Sequence, residues 1–335
     1  MKNKVVFFNP YESSLLVTGT VRRIQFLISG LKSADVEATS FTKEDYNSRV
    51  LIFISHTPVL RRLLYFLHVF LLLAKGYVVV TEVVFSPVWN KNLYLTIHDM
   101  KAFTTVARRG GGWKKYLYGL LIKRSKNIIT VSEFTKRELI EFCKLDERDI
   151  SVIPNGISRS RIDFIVNIPE KEKEYDYVYV SSFAKHKRHC FLLNSLPKNK
   201  KILFIGRDFG ELESITRLAS ENNMLVDIRN DVDGDFELFS LIKSAKVALF
   251  PSAYEGFGIP VLEYYASGVY SIVSDIPPFK ELSSYVGGFH VVDDKESLLS
   301  EIEKIKDNRF NFDVRTLEEY SEINISQKLI STIFK

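Results

Sequence analysis

Short apolar runs alternate with longer stretches of helix-period composition along the whole 335-residue chain. That alternation predicts parallel sheets covered by helices on both faces, since each buried strand must be followed by a crossover that returns the chain to the same sheet edge. In the first half the pattern predicts strands near Lys4–Phe8, Val50–Ser55, Tyr77–Val84, Asn92–Ile97, Ile128–Val131 and Ser151–Ile153. The second half repeats it near Tyr177–Ser181, Lys201–Ile205, Met224–Ile228, Val247–Phe250 and Tyr270–Val273. Between the halves, Asn155 to Tyr175 is polar and charged, runs into EKEKEYD, and reads as an interdomain linker. The length suits two Rossmann-like units of roughly 150 residues each. Leu317 to Lys335 is helix-compatible and ends in the apolar positions Leu329, Ile330, Ile333 and Phe334.

Composition adds compartment and charge. Hydrophobic residues make up 46% of the chain, enough for two cores. Cys143 and Cys190 fall in separate halves with no metal or redox spacing, which suits a reducing cytoplasm. The first residues enter directly into a strand pattern, KVVFFN, so no secretion leader is expected. The net charge of +5 conceals an asymmetry: residues 1–150 hold 23 Lys+Arg against 13 Asp+Glu, a net +10, and 151–335 hold 23 against 28, a net −5. A basic front half calls for an anionic partner, whether a membrane surface, an acidic glycan or nucleic acid. Nucleic acid ranks last, because no recognised module or aromatic platform is present.

Two segments bear on that partner. Arg61 to Lys75 contains an apolar run of twelve residues, short of the roughly twenty needed to cross a bilayer. It reads as a helix buried in the first domain or lying at a membrane face. Arg108 to Lys126 combines basic residues with Trp113, Tyr116, Tyr118 and leucines. Here Arg108, Arg109, Trp113, Lys114 and Lys115 are candidates to face anionic lipid; a solvated helix after a glycine hinge is the alternative.

The chemistry concentrates in VALFPSAYEGFGIPVLEYYASGVYSIVSD, residues 247–275. An inner strand leads into a loop whose Gly256 and Gly258 allow close backbone approach, and Pro260 suits the first turn of the helix that follows. Free amides over Gly256, Phe257 and Gly258 can bind a phosphate or sugar hydroxyls. Two carboxylates, Glu255 and Glu263, flank the loop. An ordinary βαβ unit would use the same glycines for a tight turn and leave the acids solvated.

The segment resembles the E-x7-E signature of the retaining glycosyltransferases of family 4, and the resemblance extends over nearly the whole chain. It implies the two-domain GT-B fold, an α/β architecture of two doubly wound parallel-sheet domains facing across a cleft. Residues 1–160 would form the acceptor domain and 161–316 the nucleotide-sugar domain, with 317–335 as a helix crossing back to the first. The first glutamate, Glu255, would lie against the transferred sugar and the second, Glu263, would hold the ribose.

Other segments are similar to the same family. Where members carry G-R-x4-K for the donor diphosphate, this chain has Lys187 at the lysine position but Ser181 and Ser182 at the glycine and arginine positions. Lys185 or Arg188 would then compensate. Thr96-Ile97-His98-Asp99 resembles the T-x-H-D segment, which places His98 on the sugar and Asp99 beside it. Gly206 and Arg207 resemble a loop facing the donor, where the arginine would touch phosphate or pair with Asp208. Gly19 stands in a loop that members use near donor and acceptor. Ser132 or Thr135 would cap a helix, and Pro154-Asn155-Gly156 would turn the chain into the linker.

The resemblance implies a metal-independent, retaining enzyme without a cofactor, peripheral at the inner face of the plasma membrane. It would move a hexose, for example mannose or glucose, from a nucleotide-diphosphate sugar to a lipid-linked or growing glycan in O-antigen, capsule or similar surface-polysaccharide assembly. A nucleotide-sugar epimerase or hydrolase of similar fold, and a catalytically silent sugar-nucleotide-binding subunit, are the alternatives.

Overall fold

A computed structural model describes residues 4–10, 19–46, 58–82, 90–101, 103, 119–286, 289–292, 294–305 and 313–335. The chain divides into two compact units, Met1–Gly156 together with Tyr320–Lys335, and Ile157–Glu319.

In the first unit, β1 (Lys4–Asn9), α1 (Gly19–Ser33), β2 (Glu37–Thr42), α2 (Pro58–Ala74), β3 (Val78–Thr81), β4 (Leu93–Ile97), β5 (Ile128–Thr130), α3 (Glu133–Cys143) and β6 (Ile150–Val152) follow in order. The strands form one sheet in the order β2-β1-β3-β4-β5-β6, and each ladder is parallel. Side chains alternate across a strand, so β1 feeds both faces. Val5 and Phe7 pack with Ile24, Leu27 and Leu31 of α1, whereas Phe8 packs with Tyr65, Val69 and Leu73 of α2. Val50–Ser55, expected as a strand, lies outside the described residues.

Beyond the second unit, the last helix (Glu322–Ile333) belongs to the first unit and adds Ile325, Leu329 and Ile333 to the α1 face of its core. It lies so close to α1 that a Cβ on Gly30 would sit 2.3 Å from the Glu322 carbonyl oxygen and 2.1 Å from Ser326 Oγ. Arg23 of α1 is 3% exposed. Its guanidinium donates to the carbonyls of Ile153 and Pro154, both at 2.9 Å, and to Asn155 Oδ1 at 2.6 Å. This fixes the turn that closes the unit. Ser132 caps α3, accepting from the Thr135 amide at 3.1 Å, as the sequence suggests.

The second unit runs α4 (Arg159–Asn167), β7 (Tyr175–Val180), α5 (His189–Ser195), β8 (Lys201–Ile205), α6 (Leu212–Glu221), β9 (Leu225–Arg229), α7 (Asp235–Lys243), β10 (Ala245–Phe250), α8 (Ile259–Ala266), β11 (Tyr270–Ser274), α9 (Pro277–Ser283), β12 (Phe289–Val292) and α10 (Lys295–Ile305). Its sheet is again parallel, in the order β12-β11-β10-β7-β8-β9.

Two expectations need correction. The stretch Asn155–Tyr175 is not a plain linker, because it contains α4, which Ser158 caps and whose Ile162 and Ile165 are buried. The pattern also passes over β2 and β12, two of the four strands at sheet edges, while it does predict the other two, β6 and β9. An edge strand pairs on one side only, so its sequence needs fewer apolar residues, and EATSFT in β2 carries just enough alternation to bury Ala38 and Thr42.

Gly30→Leu would force α1 and the C-terminal helix apart against backbone as well as side chain. A loss of about 3 kcal/mol, the upper range for overpacking, is expected in urea denaturation. Gly19→Ala is the control, with nothing within 4 Å of the added carbon, and it should be close to neutral.

Candidate functional site

The carboxyl ends of β7, β8 and β10 come out at one edge of the second sheet, where a doubly wound fold binds ligands. β10 runs into Pro251 and Ser252, then into the Glu255–Gly258 loop, and α8 starts at Ile259 with Pro260 in its first turn. Gly258 is the N-cap at φ 113°, in the left-handed region, with Phe279 packed where a side chain would go. Both facts exclude other residues there. Tyr264 of α8 accepts the Val180 amide at 2.9 Å, which pins the helix to the end of β7.

Lys187 lies on a 3-10 turn, Lys185–Lys187, directly after β7. Its Nζ reaches Glu255 Oε1 at 2.5 Å, with both side chains 14% exposed. The turn and the loop are joined through the backbone as well: the Ala253 amide donates to the His186 carbonyl at 2.8 Å. Tyr179 Oη donates to the Lys187 carbonyl at 2.9 Å and meets Ser252 Oγ at 3.1 Å. The structure thus brings together two residues that stand 68 positions apart, beside the amides of Gly256, Phe257 and Gly258.

The neighbouring candidates are placed differently. Ser182 is half-buried next to this turn, and Ser181 Oγ faces His189 Nε2 at 3.3 Å. Arg188 takes a left-handed backbone and lays its guanidinium on the Phe191 ring, 4.4 Å from the centroid. Gly206 serves close approach, since its Cβ would lie 1.8 Å from the Ser181 carbonyl oxygen. Arg207 is exposed. Asp208 is engaged by backbone amides, accepting from Gly210 at 2.8 Å and from Glu211 and Leu212 at 3.1 Å. His189 is buried among Tyr179, Phe183 and Phe204, and desolvation lowers its pKa to about 3. It stays neutral and belongs to the core.

Glu263 sits on α8 with its side chain 6% exposed. Its partner, Arg161 on α4, is absent from any reading of the sequence. Arg161 Nη2 and Nε both donate to Glu263 Oε1, at 2.7 and 2.9 Å, while Nη1 and Nη2 donate to Asp235 at 2.6 and 3.3 Å. The same guanidinium lies 4.9 Å from the centroid of Phe239. The clue in the sequence is the pair Arg159 and Arg161 at the start of an amphipathic stretch, which the charged EKEKEYD run conceals.

In the first unit His98 follows β4, and its Nε2 pairs with Glu82, the residue after β3. Glu82 is buried at 3% side-chain exposure. Burial pushes its carboxyl pKa up, but the charges of His98 and Arg23 and hydrogen bonds from His98 and Thr96 outweigh burial, so the net shift is downward. Sequence reasoning also missed Glu82. Asp99 is exposed and caps a turn through the Lys101 amide at 2.9 Å. Gly19 is the first residue of α1 rather than part of a loop. Arg108, Arg109, Trp113, Lys114 and Lys115 lie outside the described residues. Among the described residues no group of three or more His, Cys, Asp or Glu could hold a metal ion.

Because the folded pKa of Glu82 lies below its ordinary value of 4.5, the stability it contributes is complete above about pH 4.5 and fades as pH falls through the folded value. Glu82→Gln should therefore cost about 1–3 kcal/mol at pH 7. The gap between the variant and the parent should narrow below pH 4.5, read from urea midpoints across pH.

Two family models match the chain end to end: Glycosyltransferase Family 4 over residues 17–161 and Glycosyl transferases group 1 over residues 160–323. The O-antigen chain mannosyltransferase RfbU of Salmonella typhimurium is 32% identical over 238 residues, 66% of this chain and 64% of RfbU. The chain thus spans just under two thirds of that relative's length. Among solved structures, the lipopolysaccharide outer core galactosyltransferase WaaB in its apo form matches with a TM-score of 0.67 at 17% identity. HepE of Anabaena in complex with UDP and glucose matches at 0.69 and 14%. Each covers 99% of both chains, and both support the GT-B fold. With the two models spanning 17–323, this chain belongs to the family 4, group 1 glycosyltransferases.

Proposed function

We propose that this chain moves a hexose, for example mannose or glucose, from a nucleotide-diphosphate sugar to a lipid-linked or growing glycan in surface-polysaccharide assembly, with retention of anomeric configuration. The observation that carries the reading is the Lys187–Glu255 pair beside the amides of Gly256–Gly258. A cation, backbone amides at a helix start and a carboxylate at one point are what a sugar diphosphate needs. Lys187 and the loop amides would stabilise the charge that develops on the departing diphosphate. Glu255 would orient the sugar hydroxyls, Glu263 the ribose and His98 the sugar. RfbU and WaaB, named for mannosyl and galactosyl transfer, and HepE, solved with UDP and glucose, agree in class.

A second observation bears on where the reaction takes place. The outward face of α2 consists of Leu60, Leu63, Leu67, Phe70 and Leu71, all 48–59% exposed. No described helix is long and apolar enough to cross a membrane, and 17 residues of helix extend about 25 Å. Residues 46–132 hold 13 Lys+Arg and two Asp+Glu, the acids being Glu82 and Asp99. An apolar face in so basic a surrounding suits the inner, anionic face of a plasma membrane. The lipid-linked acceptor would be met at that surface.

Two measurements test the reading. A nucleoside diphosphate at a hundred times its dissociation constant adds about 2.7 kcal/mol of stability. Either the UDP or the GDP series should therefore raise the melting temperature, and Lys187→Met should weaken that series by about 10–100-fold, the loss of one charge-assisted hydrogen bond. No response to any nucleotide or nucleotide sugar would overturn the reading. For the membrane, Leu63→Glu with Leu67→Glu should abolish sedimentation with phosphatidylglycerol vesicles and leave nucleotide binding intact. Unchanged sedimentation would discard α2 as the contact.

A further inference from the structure

We infer that Arg161 is a positioning residue for the donor nucleotide: it fixes the Glu263 carboxylate in the orientation that receives the ribose. The inference rests on the proposed role of Glu263 and extends it to a residue outside the signature. Two N–H groups of one guanidinium converge on a single oxygen, Oε1, so the carboxylate cannot withdraw from Arg161 without breaking both bonds. Arg161 is itself fixed on two further sides. Asp235 takes its other edge, and the Phe239 ring lies beneath its plane. Asp235 is the first residue of α7, where the helix dipole favours a negative charge, so that anchor is held in turn.

The charges explain why arginine stands here. One guanidinium shared between two carboxylates leaves the cluster with a net negative charge. Arg161 is thus the charge partner of Glu263 at a position where that residue is only 5% exposed. Lysine would supply the charge at one point only, without the fork that reaches Glu263 and Asp235 at once. A purely structural staple between α4, α7 and α8 would use the same contacts, so the test must separate orientation from stability.

Inorganic pyrophosphate makes that separation, because it carries the diphosphate charge and lacks the ribose. The probes are UDP and GDP, with the tighter binder carried forward, and pyrophosphate in competition with it. Arg161→Met is expected to weaken the nucleoside diphosphate about tenfold and pyrophosphate less than twofold. Arg161→Lys, which keeps a charge for folding, should lose at least threefold for the nucleotide alone. In a Glu263→Gln background, Arg161→Met should add less than a twofold loss, because the arginine acts through that carboxylate. Equal weakening of nucleotide and pyrophosphate, or additive losses in the double variant, would overturn the inference and leave a staple. Wild-type nucleotide affinity in Arg161→Met alone would do the same. Wild-type affinity in Glu263→Gln would instead remove the ribose role of Glu263, and the inference with it.

Discussion

In a parallel sheet all strands leave at one edge, and hydrogen-bonded ladders of that kind build both units of this protein. The loops after β3, β4, β7, β8 and β10 are thereby delivered to the carboxyl edges of their sheets, which is where Glu82, His98, Lys187, Arg207 and Glu255 stand. Residues far apart in the chain become neighbours with no long-range design beyond the ladder itself. The cost falls on the helices. A parallel sheet must be covered on both faces, and the alternating sides of β1 show how that is met, with α1 and the C-terminal helix on one face and α2 on the other.

Charge at such an edge is half inside the protein, and each carboxylate of interest has a cation or imidazole within reach. Glu255 has Lys187, Glu263 has Arg161 and Glu82 has His98. Removing one partner of a buried pair costs about 3–5 kcal/mol, because the survivor is left desolvated. These pairs therefore fix the positions of their side chains before any ligand arrives. In an acyl-free, charge-stabilised reaction that preorganisation is what a site contributes, since donors already in place need no reorganisation when charge develops.

How much of this was legible in the sequence follows from the same physics. Inner strands such as β8 and β10 are apolar on both faces, so Lys201–Ile205 was placed to the residue and Val247–Phe250 to within two. The edge strand β2, EATSFT, carries a diluted pattern and is not predicted from it, whereas the edge strands β6 and β9 are. Glu255, Gly258 and Pro260 stand out because loop, cap and helix start each constrain residue type locally. Arg161 and Glu82 do not, because their meaning lies in partners 102 and 16 positions away. Gly206 has a packing role against Ser181 that its sequence context does not disclose. The basic segment around Trp113 lies outside the described residues.

The serines at 181 and 182 shift weight within the site. On the proposed reading an arginine at position 182 would meet the diphosphate with two parallel hydrogen bonds, and no such group is present. The Arg188 guanidinium lies on the Phe191 ring. Arg207 is better placed: its carbonyl accepts the Phe183 amide at 2.8 Å, which anchors its backbone beside Ser182, and its side chain is exposed. An exposed cation is screened by solvent and contributes less than a buried fork. On that reading Lys187, loop amides and a screened arginine would hold the diphosphate, and a larger share of nucleotide recognition would fall on the ribose. That share is where the structure invests its most elaborate ion pairing, in the cluster of Arg161, Asp235 and Glu263.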